Sequence, residues 1–422
     1  MQIKETIILA GGFGTRSRKT VPDLPKCMAL VAGQPFLTHV IRYLLSQGIE
    51  KFIFSLGYKH EVIEEFLNLN FSTLQLQYSI EEEPLGTGGA IKLACKKSTE
   101  KNVLVVNGDT IFKVNIGELA TFHFNHHADC TLSLKLMHNF DRYGRVELNE
   151  DHSIKCFTEK RFYERGYING GVYLLNTEKF IAEDLAAKFS FEKDYLERFY
   201  GQRLFFGFIE NTYFIDIGIP EDYNRAQQEL MQPALTLASI DKSWTLFIDR
   251  DGVINLEKKG EYILNWREFK FYDGITEAFH QFGNKFGKII VVSNQRGVGK
   301  GLMTEDELTG IHQQMQKQIV QRTSHGESAG SRIDHIYYCT SIDNKHPNRK
   351  PNPGMAFLAK KDFPSIDLTK SIMVGNKPSD MQFGRNAGIY TVFVRTTNHD
   401  QPFPHPDIDL AFDSLIDFAK AL

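Results

Sequence analysis

LFIDRDGVIN (residues 246–255) decides how the second half of this chain is read. An apolar run, Leu246-Phe247-Ile248, ends in Asp249 and, two residues later, Asp251. That is the pattern of a buried strand releasing carboxylates where the backbone turns beyond its end. An Asp-x-Asp pair by itself fits either a metal site or a solvated turn. Moving outward, KIIVVSNQ (288–295), HIYYCT (335–340), SIMVGN (371–376) and YTVFVR (390–395) repeat the short apolar run, separated by amphipathic stretches. The rhythm predicts crossover units and an α/β domain.

The first half shows the same rhythm in TIILA (6–10), HVIRYLLSQG (39–48), KFIFSLG (51–57), HEVIEEFLN (60–68) and NVLVVNGD (102–109), which argues for crossover units and a largely parallel sheet. A chain of 422 residues exceeds what one core organises, so two domains are expected. EDYNRAQQELM (221–231) reads as a closing helix and QPALTLASIDKS (232–243) carries a proline and no strong period. The expected division is a first domain over 1–231, a linker over 232–243 and a second domain over 244–422. No internal repeat is present, and TSHGESAGS (323–331) reads as a flexible loop.

Composition excludes several functions. With 49 basic and 52 acidic residues the net charge is −3, which offers no basic surface for nucleic acid or membrane. Cys27, Cys95, Cys130, Cys156 and Cys339 are widely spaced, with no Cys-x-x-Cys pair, as in a reducing cytoplasm. No run approaches the ~20 apolar residues of a membrane helix. A cytoplasmic enzyme of small molecules is the expected class, and its oligomeric state is not legible.

In AGGFGTR (10–16), Gly11, Gly12 and Gly14 bring bare amides to a turn suited to a polyphosphate, and Arg16 adds a bidentate cation. Ser17 stands where a dinucleotide fingerprint needs its third glycine, and no Gly-Lys-Ser/Thr follows. DLPKCM (23–28) presents Lys26, EEEPLGTGGAI (81–91) is a second glycine loop, and VVNGD (105–109) leaves Asp109 at a strand end. FIDIGIPEDY (214–223) supplies Asp216, a second hard oxygen suited to magnesium.

Taken in order, GGxGTR, Pro-Lys, PLGTGGA, NGD, TEK, NGGVY and DIGIPEDY resemble the sugar-1-phosphate nucleotidyltransferases over residues 1 to about 230. Within them the chain looks most like the D-glycero-D-manno-heptose-1-phosphate guanylyltransferases. The resemblance implies a Rossmann-like, GT-A-like mixed sheet. It places Gly11, Gly12, Gly86 and Thr87 around base and ribose, and Arg16 and Lys26 on the triphosphate. Asp109 and Asp216 would hold Mg²⁺, and Gly144, Glu159, Lys160 and Asn169 would surround the sugar phosphate.

In the second half, VVSNQRGVGKG (291–301), NRKPNPGM (348–355) and MVGNKPSD (373–380) follow DRDGVIN in order. The set resembles the haloacid dehalogenase superfamily, in the branch containing heptose-bisphosphate and histidinol-phosphate phosphatases. It implies a parallel-sheet domain in which Asp249 is the nucleophile and Asp251 the general acid and base. Ser293, Asn294 and Lys350 would hold the phosphoryl oxygens, and Arg349 the distal part of the substrate. Mg²⁺ would join Asp249, Asp251 and the fourth strand end. There the usual Gly-Asp is Gly375-Asn376, leaving the Asn376 amide oxygen or Asp380 as ligand. Cys339 and His346 fall short of the four ligands of a structural zinc site, so no zinc is expected and His346 reads as a solvated loop residue.

Other signals are read as structural. His123, His126 and His127 lie together without a partner at useful spacing and read as an exposed helix end; KKSTEK (96–101) reads as a solvated one. RLFFGFIE (203–210) reads as strand and core rather than a base-stacking platform. Together the two resemblances imply consecutive steps. A heptose bisphosphate loses its distal phosphate, and the 1-phosphate is joined to a nucleotide, GTP favoured, giving GDP-heptose for surface glycans. The same chemistries on another sugar or base, or one domain kept as a non-catalytic sensor, are the alternatives.

Overall fold

The computed structural model describes residues 2–12, 24–321 and 331–422. Arg16, Gly14 and nearly all of TSHGESAGS lie outside the described residues. The chain divides into two units, Met1–Gln232 and Pro233–Leu422. No described helix is long and apolar enough to cross a membrane.

The first unit is built on a nine-stranded mixed sheet. Gln75–Ile80, Lys51–Leu56, Glu5–Leu9 and Asn102–Asn107 run parallel in that spatial order, as the crossover rhythm predicts. The long strand Tyr163–Asn176 then pairs antiparallel with both Asn102–Asn107 and Cys130–Phe140, which makes the sheet mixed. Ile7, Ile53, Val105 and Leu132 fill its core; in the same core Phe180 packs edge-on against Phe191 and Tyr195, and Phe205 packs tilted against Tyr195. Aromatic residues of this region are therefore core.

Strand Glu5–Leu9 is the point where the order reverses, since its neighbours come from later in the chain on either side. A crevice opens there beyond the carboxyl ends of the strands. A separate hairpin-like pair, Thr110–Phe112 with Phe214–Asp216, sets Asp216 opposite Thr110. The Ile217 amide donates to the Asp109 carbonyl at 3.1 Å, which locks the two acidic strand ends together.

The second unit holds a six-stranded parallel sheet in the order His335–Cys339, Lys288–Asn294, Thr245–Ile248, Ser371–Gly375, Tyr390–Val394, Leu410–Phe412. Thr245–Ile248 is wholly buried because both faces are covered. Leu246 and Ile248 pack with Phe279, Phe282 and Met315 on one face, whereas Phe247 packs with Met355 and Phe383 on the other. Residues read as linker join this unit: Ile240 is buried in its core, and Leu235 and Leu237 pack against it.

His123 corrects the sequence reading. It is 2% exposed, its ring nitrogens meeting Thr131 Oγ1 at 2.8 Å and Asn102 Oδ1 at 3.1 Å. Burial lowers its pKa to about 4, so it sits neutral in the core. His126 is half-buried and stacks on Phe122. Of the three, His127 alone is exposed.

Candidate active sites

In the first unit, an open cavity of about 1440 Å³ lies at the reversal point. Its lining brings together Gly11, Gly12, Lys26, Gly86, Thr87, Asp109, Lys160 and Asp216 from the predicted set. Gly144, Glu159 and Asn169 are not among the lining residues. Glu159 is exposed, and the Asn169 side chain is engaged with Tyr173 and with the Gly171 amide.

Lys26 stands between the two acids, its Nζ 2.5 Å from Asp109 Oδ2 and 3.4 Å from Asp216 Oδ1. Burial works against this ammonium, but the two carboxylates outweigh it and hold its pKa above the ordinary value. Burial and the neighbouring Asp109 push Asp216 upward. The Gly218 amide donates to Asp216 Oδ1 at 2.7 Å and fixes that carboxylate. Two carboxylate oxygens thus converge on a point already suited to one cation, a hard-oxygen donor set that fits Mg²⁺.

Helix Gly86–Cys95 begins in the same cavity. Gly86 has φ +72°, and a Cβ there would lie 2.5 Å from the Phe189 carbonyl oxygen, so glycine is required twice over. That carbonyl accepts from the Gly88 amide at 3.0 Å. Thr87 Oγ1 donates to Glu192 Oε2 at 2.8 Å and accepts from the Phe191 amide at 2.9 Å. The loop is therefore shaped by the distant segment 187–192 as much as by its own glycines. Sequence reading missed Glu192, Glu81, Arg142 and Tyr143, all of which line the cavity. The Tyr143 hydroxyl is buried without a hydrogen-bond partner, and burial followed by Asp216 raises its pKa.

In the second unit, Asp249 follows the central strand, its amide bonded to the Val374 carbonyl at 2.9 Å. Lys350 Nζ is 2.7 Å from Asp249 Oδ1 and 2.7 Å from Asp380 Oδ1, and donates to the Val292 carbonyl at 3.0 Å. Asn294 fixes the backbone of Lys350 by a reciprocal pair of 3.0 Å hydrogen bonds. Burial raises Asp249 to about 6; Lys350 opposes the rise and Asp380 adds to it. The outer oxygen of Asp380 accepts from the Lys377 amide at 3.0 Å, so both its oxygens are engaged.

Asp251 sits under a different influence. Burial would raise it, yet Arg250, Asn255 and Gln295 all donate to its carboxylate and hold it below the usual range. Arg250 itself is fully buried, its Nη1 3.1 Å from His312 Nε2. Burial and then Arg250 press the His312 pKa to about 3, leaving a neutral imidazole that can accept from the guanidinium. Ser293 Oγ accepts from Gln295 at 2.7 Å, while Arg349 is mostly buried and donates to the Ser341 carbonyl at 3.2 Å.

Asn376 is fully buried and ends the adjacent strand. Its Nδ2 donates to Thr397 Oγ1 at 2.6 Å, which leaves Oδ1 buried with no partner. A buried orphan acceptor costs about 1–3 kcal/mol unless something binds it. It follows the strand paired with the one that leads into Asp249, and its free oxygen is of the hard type that Mg²⁺ takes. Among the described residues no group of three or more His, Cys, Asp or Glu side chains is placed to hold a metal. His346 differs from its reading: it is half-buried, its Nδ1 3.5 Å from Cys339 Sγ and accepting from the Asn348 amide at 3.2 Å.

Residues 5–233 match the model of the Nucleotidyl transferase family, and residues 347–417 match a HAD-hydrolase-like model. The chain belongs to the nucleotidyl transferase family and is a two-domain enzyme, a nucleotidyltransferase joined to a phosphatase of the HAD type. Over 226 residues it is 50% identical to the D-glycero-alpha-D-manno-heptose 1-phosphate guanylyltransferase of Aneurinibacillus thermoaerophilus, spanning 54% of this chain and 98% of that one. It is 44% identical over 219 residues to the enzyme of the same name from Campylobacter jejuni, spanning 52% and 96%. HddC from Yersinia pseudotuberculosis, solved in complex with GMP-PN, is 36% identical with a TM-score of 0.50, covering 54% of this chain and 100% of that one.

Proposed function

We propose that this chain carries out consecutive steps in making an activated heptose. The second unit removes the 7-phosphate of D-glycero-D-manno-heptose 1,7-bisphosphate; the first transfers GMP from GTP to the resulting heptose 1-phosphate. The product is GDP-heptose, a cytoplasmic donor for surface glycans. The observation that carries the reading is 50% identity to a heptose 1-phosphate guanylyltransferase across the first half, on a chain whose second half sets Asp249 against Lys350.

In the first unit, a phosphate oxygen of the sugar attacks the α-phosphorus of GTP and pyrophosphate leaves. No protein nucleophile is needed: Lys26 and Arg16 offset the repulsion of two anions, and the cavity aligns them. Mg²⁺ held by Asp109 and Asp216 would add charge neutralisation at the phosphates.

In the second unit, the Asp249 carboxylate attacks phosphorus as the sugar C–O–P ester breaks at the P–O bond. Asp251, held as a carboxylate in the free enzyme, takes a proton from solvent when substrate is bound and passes it to the departing alkoxide. Water then attacks the aspartyl phosphate, Asp251 takes the water's proton, and inorganic phosphate leaves with Asp249 restored. Lys350, Ser293 and Asn294 hold the phosphoryl oxygens, and Arg349 holds the far end of the sugar. Asp249 and Asn376 would hold a Mg²⁺ that neutralises the phosphoryl charge.

The test is a coupled assay with magnesium, the 1,7-bisphosphate and each nucleoside triphosphate in turn. Phosphate and pyrophosphate released together with GTP support the reading. Pyrophosphate released only when heptose 1-phosphate is supplied would reduce the second unit to a binding domain for this sugar.

A further inference from the structure

Lys26 occupies the place a cation would take between Asp109 and Asp216, and its surroundings are built to keep it there. A Cβ on Gly218 would lie 1.9 Å from Lys26 Nζ, so the ammonium fills space that only a glycine leaves open. The Gly218 amide and Asp222 hold the Asp216 end, the latter accepting from the Asp216 amide at 3.3 Å. Lys26 itself starts the short turn Lys26–Met28, whose Cys27 and Met28 are buried. The backbone is anchored and the side chain, 20% exposed, is the part able to swing into the cavity.

We propose that Lys26 acts as a resident stand-in for the divalent ion. Its ammonium closes the Asp109–Asp216 site to the free metal. The site opens to a metal already bound to a nucleoside triphosphate, whose phosphates accept the ammonium as it leaves the carboxylates. A free ion would have to expel a lysine from two ion pairs and leave it without an acceptor, whereas a metal–triphosphate complex brings the acceptor with it. The inference rests on the assignment of Asp109 and Asp216 as metal ligands under Proposed function.

The experiment is a Mn²⁺ titration of the full chain, reading free Mn²⁺ by electron paramagnetic resonance, with and without a non-hydrolysable GTP analogue. Without analogue, Lys26→Met is expected to bind one more Mn²⁺ than the parent, or to bind it about tenfold tighter or more. That gain should vanish in Lys26→Met/Asp109→Asn, which separates this site from any in the second unit. Gly218→Ala keeps the lysine but crowds it out, and is expected to move binding in the same direction. With analogue, the parent should acquire the Asp109-dependent site. If Lys26→Met and Gly218→Ala both bind as the parent does without analogue, the stand-in role is overturned. If the analogue brings no Asp109-dependent Mn²⁺ to the parent, the metal assignment itself fails.

Discussion

Replacing Lys350 by methionine isolates what holds the second site together. The side chain is 2% exposed and its ammonium lies 2.7 Å from both Asp249 and Asp380. Methionine keeps most of the volume but leaves two buried carboxylates facing each other without their shared cation. Breaking a buried ion pair from one side costs about 3–5 kcal/mol. At roughly 2–4 °C per kcal/mol for a unit of this size, that lowers its melting temperature by about 6–20 °C. Both tryptophans of the chain, Trp244 and Trp266, belong to this unit, so selectively excited tryptophan fluorescence reports its unfolding and not that of the first. Phosphate release should fall more than tenfold while pyrophosphate release from heptose 1-phosphate and GTP is kept. Adding Asp380→Asn removes one of the uncompensated charges and should recover about half of the lost stability without recovering phosphate release. A single variant that melts within 2 °C of the parent, or a double variant no more stable than the single, would refute the electrostatic reasoning.

Further expectations follow from single residues. Asp249→Asn should abolish phosphate release and spare pyrophosphate release, and Asp109→Ala should do the reverse; either change silencing both in a folded protein would show that the sites are not independent. His123 has a folded pKa of about 4 against 6.5 unfolded, so the unfolded chain takes up the proton first as pH falls. Stability of the first unit is therefore full above pH 6.5 and drops by about 2 kcal/mol between pH 7 and 5; urea titrations followed by circular dichroism should show this loss, and His123→Leu should flatten it. Asn376→Asp puts a charge on the acceptor that has no partner, and Mn²⁺ binding to the second unit should tighten by about tenfold, an expectation sunk by calorimetry showing equal or weaker affinity.

Residues that end apolar strands were legible because the sequence marks them twice, by residue type and by the run before them. Asp109 and Asp249 are of this kind, and the structure finds each just beyond a buried strand. What was not legible depends on partners far along the chain. Thr87 meets Glu192 across 105 positions, and Arg250 meets His312 across 62, from a helix whose periodicity gives a lone histidine no distinction. The resemblance implied a mixed sheet in the first unit, but no local pattern announces that Tyr163–Asn176 makes it so by pairing on both edges. His123 carries a local signal of its burial. It falls in register with Ile116, Leu119 and Ala120 on one face of helix Ile116–Asn125, all of them buried, so its spacing pointed inward. The exposed position of Glu159 shows the opposite limit, since a motif can name a residue without placing its side chain.

The central place of Thr245–Ile248 governs how the second unit can be made. One neighbour, Lys288–Asn294, emerges from the ribosome soon after it, but the other, Ser371–Gly375, is translated more than a hundred residues later. At usual elongation rates the gap is on the order of 10 s. Throughout it the nascent chain presents Leu246, Phe247 and Ile248 on an open sheet edge, with Arg250 and Asp251 already made but Asp380 still to come. Such an edge is a template for pairing with other chains. Slower growth and lower temperature during expression should thus decide the yield of folded protein through this one strand, whatever the final stability of the domain.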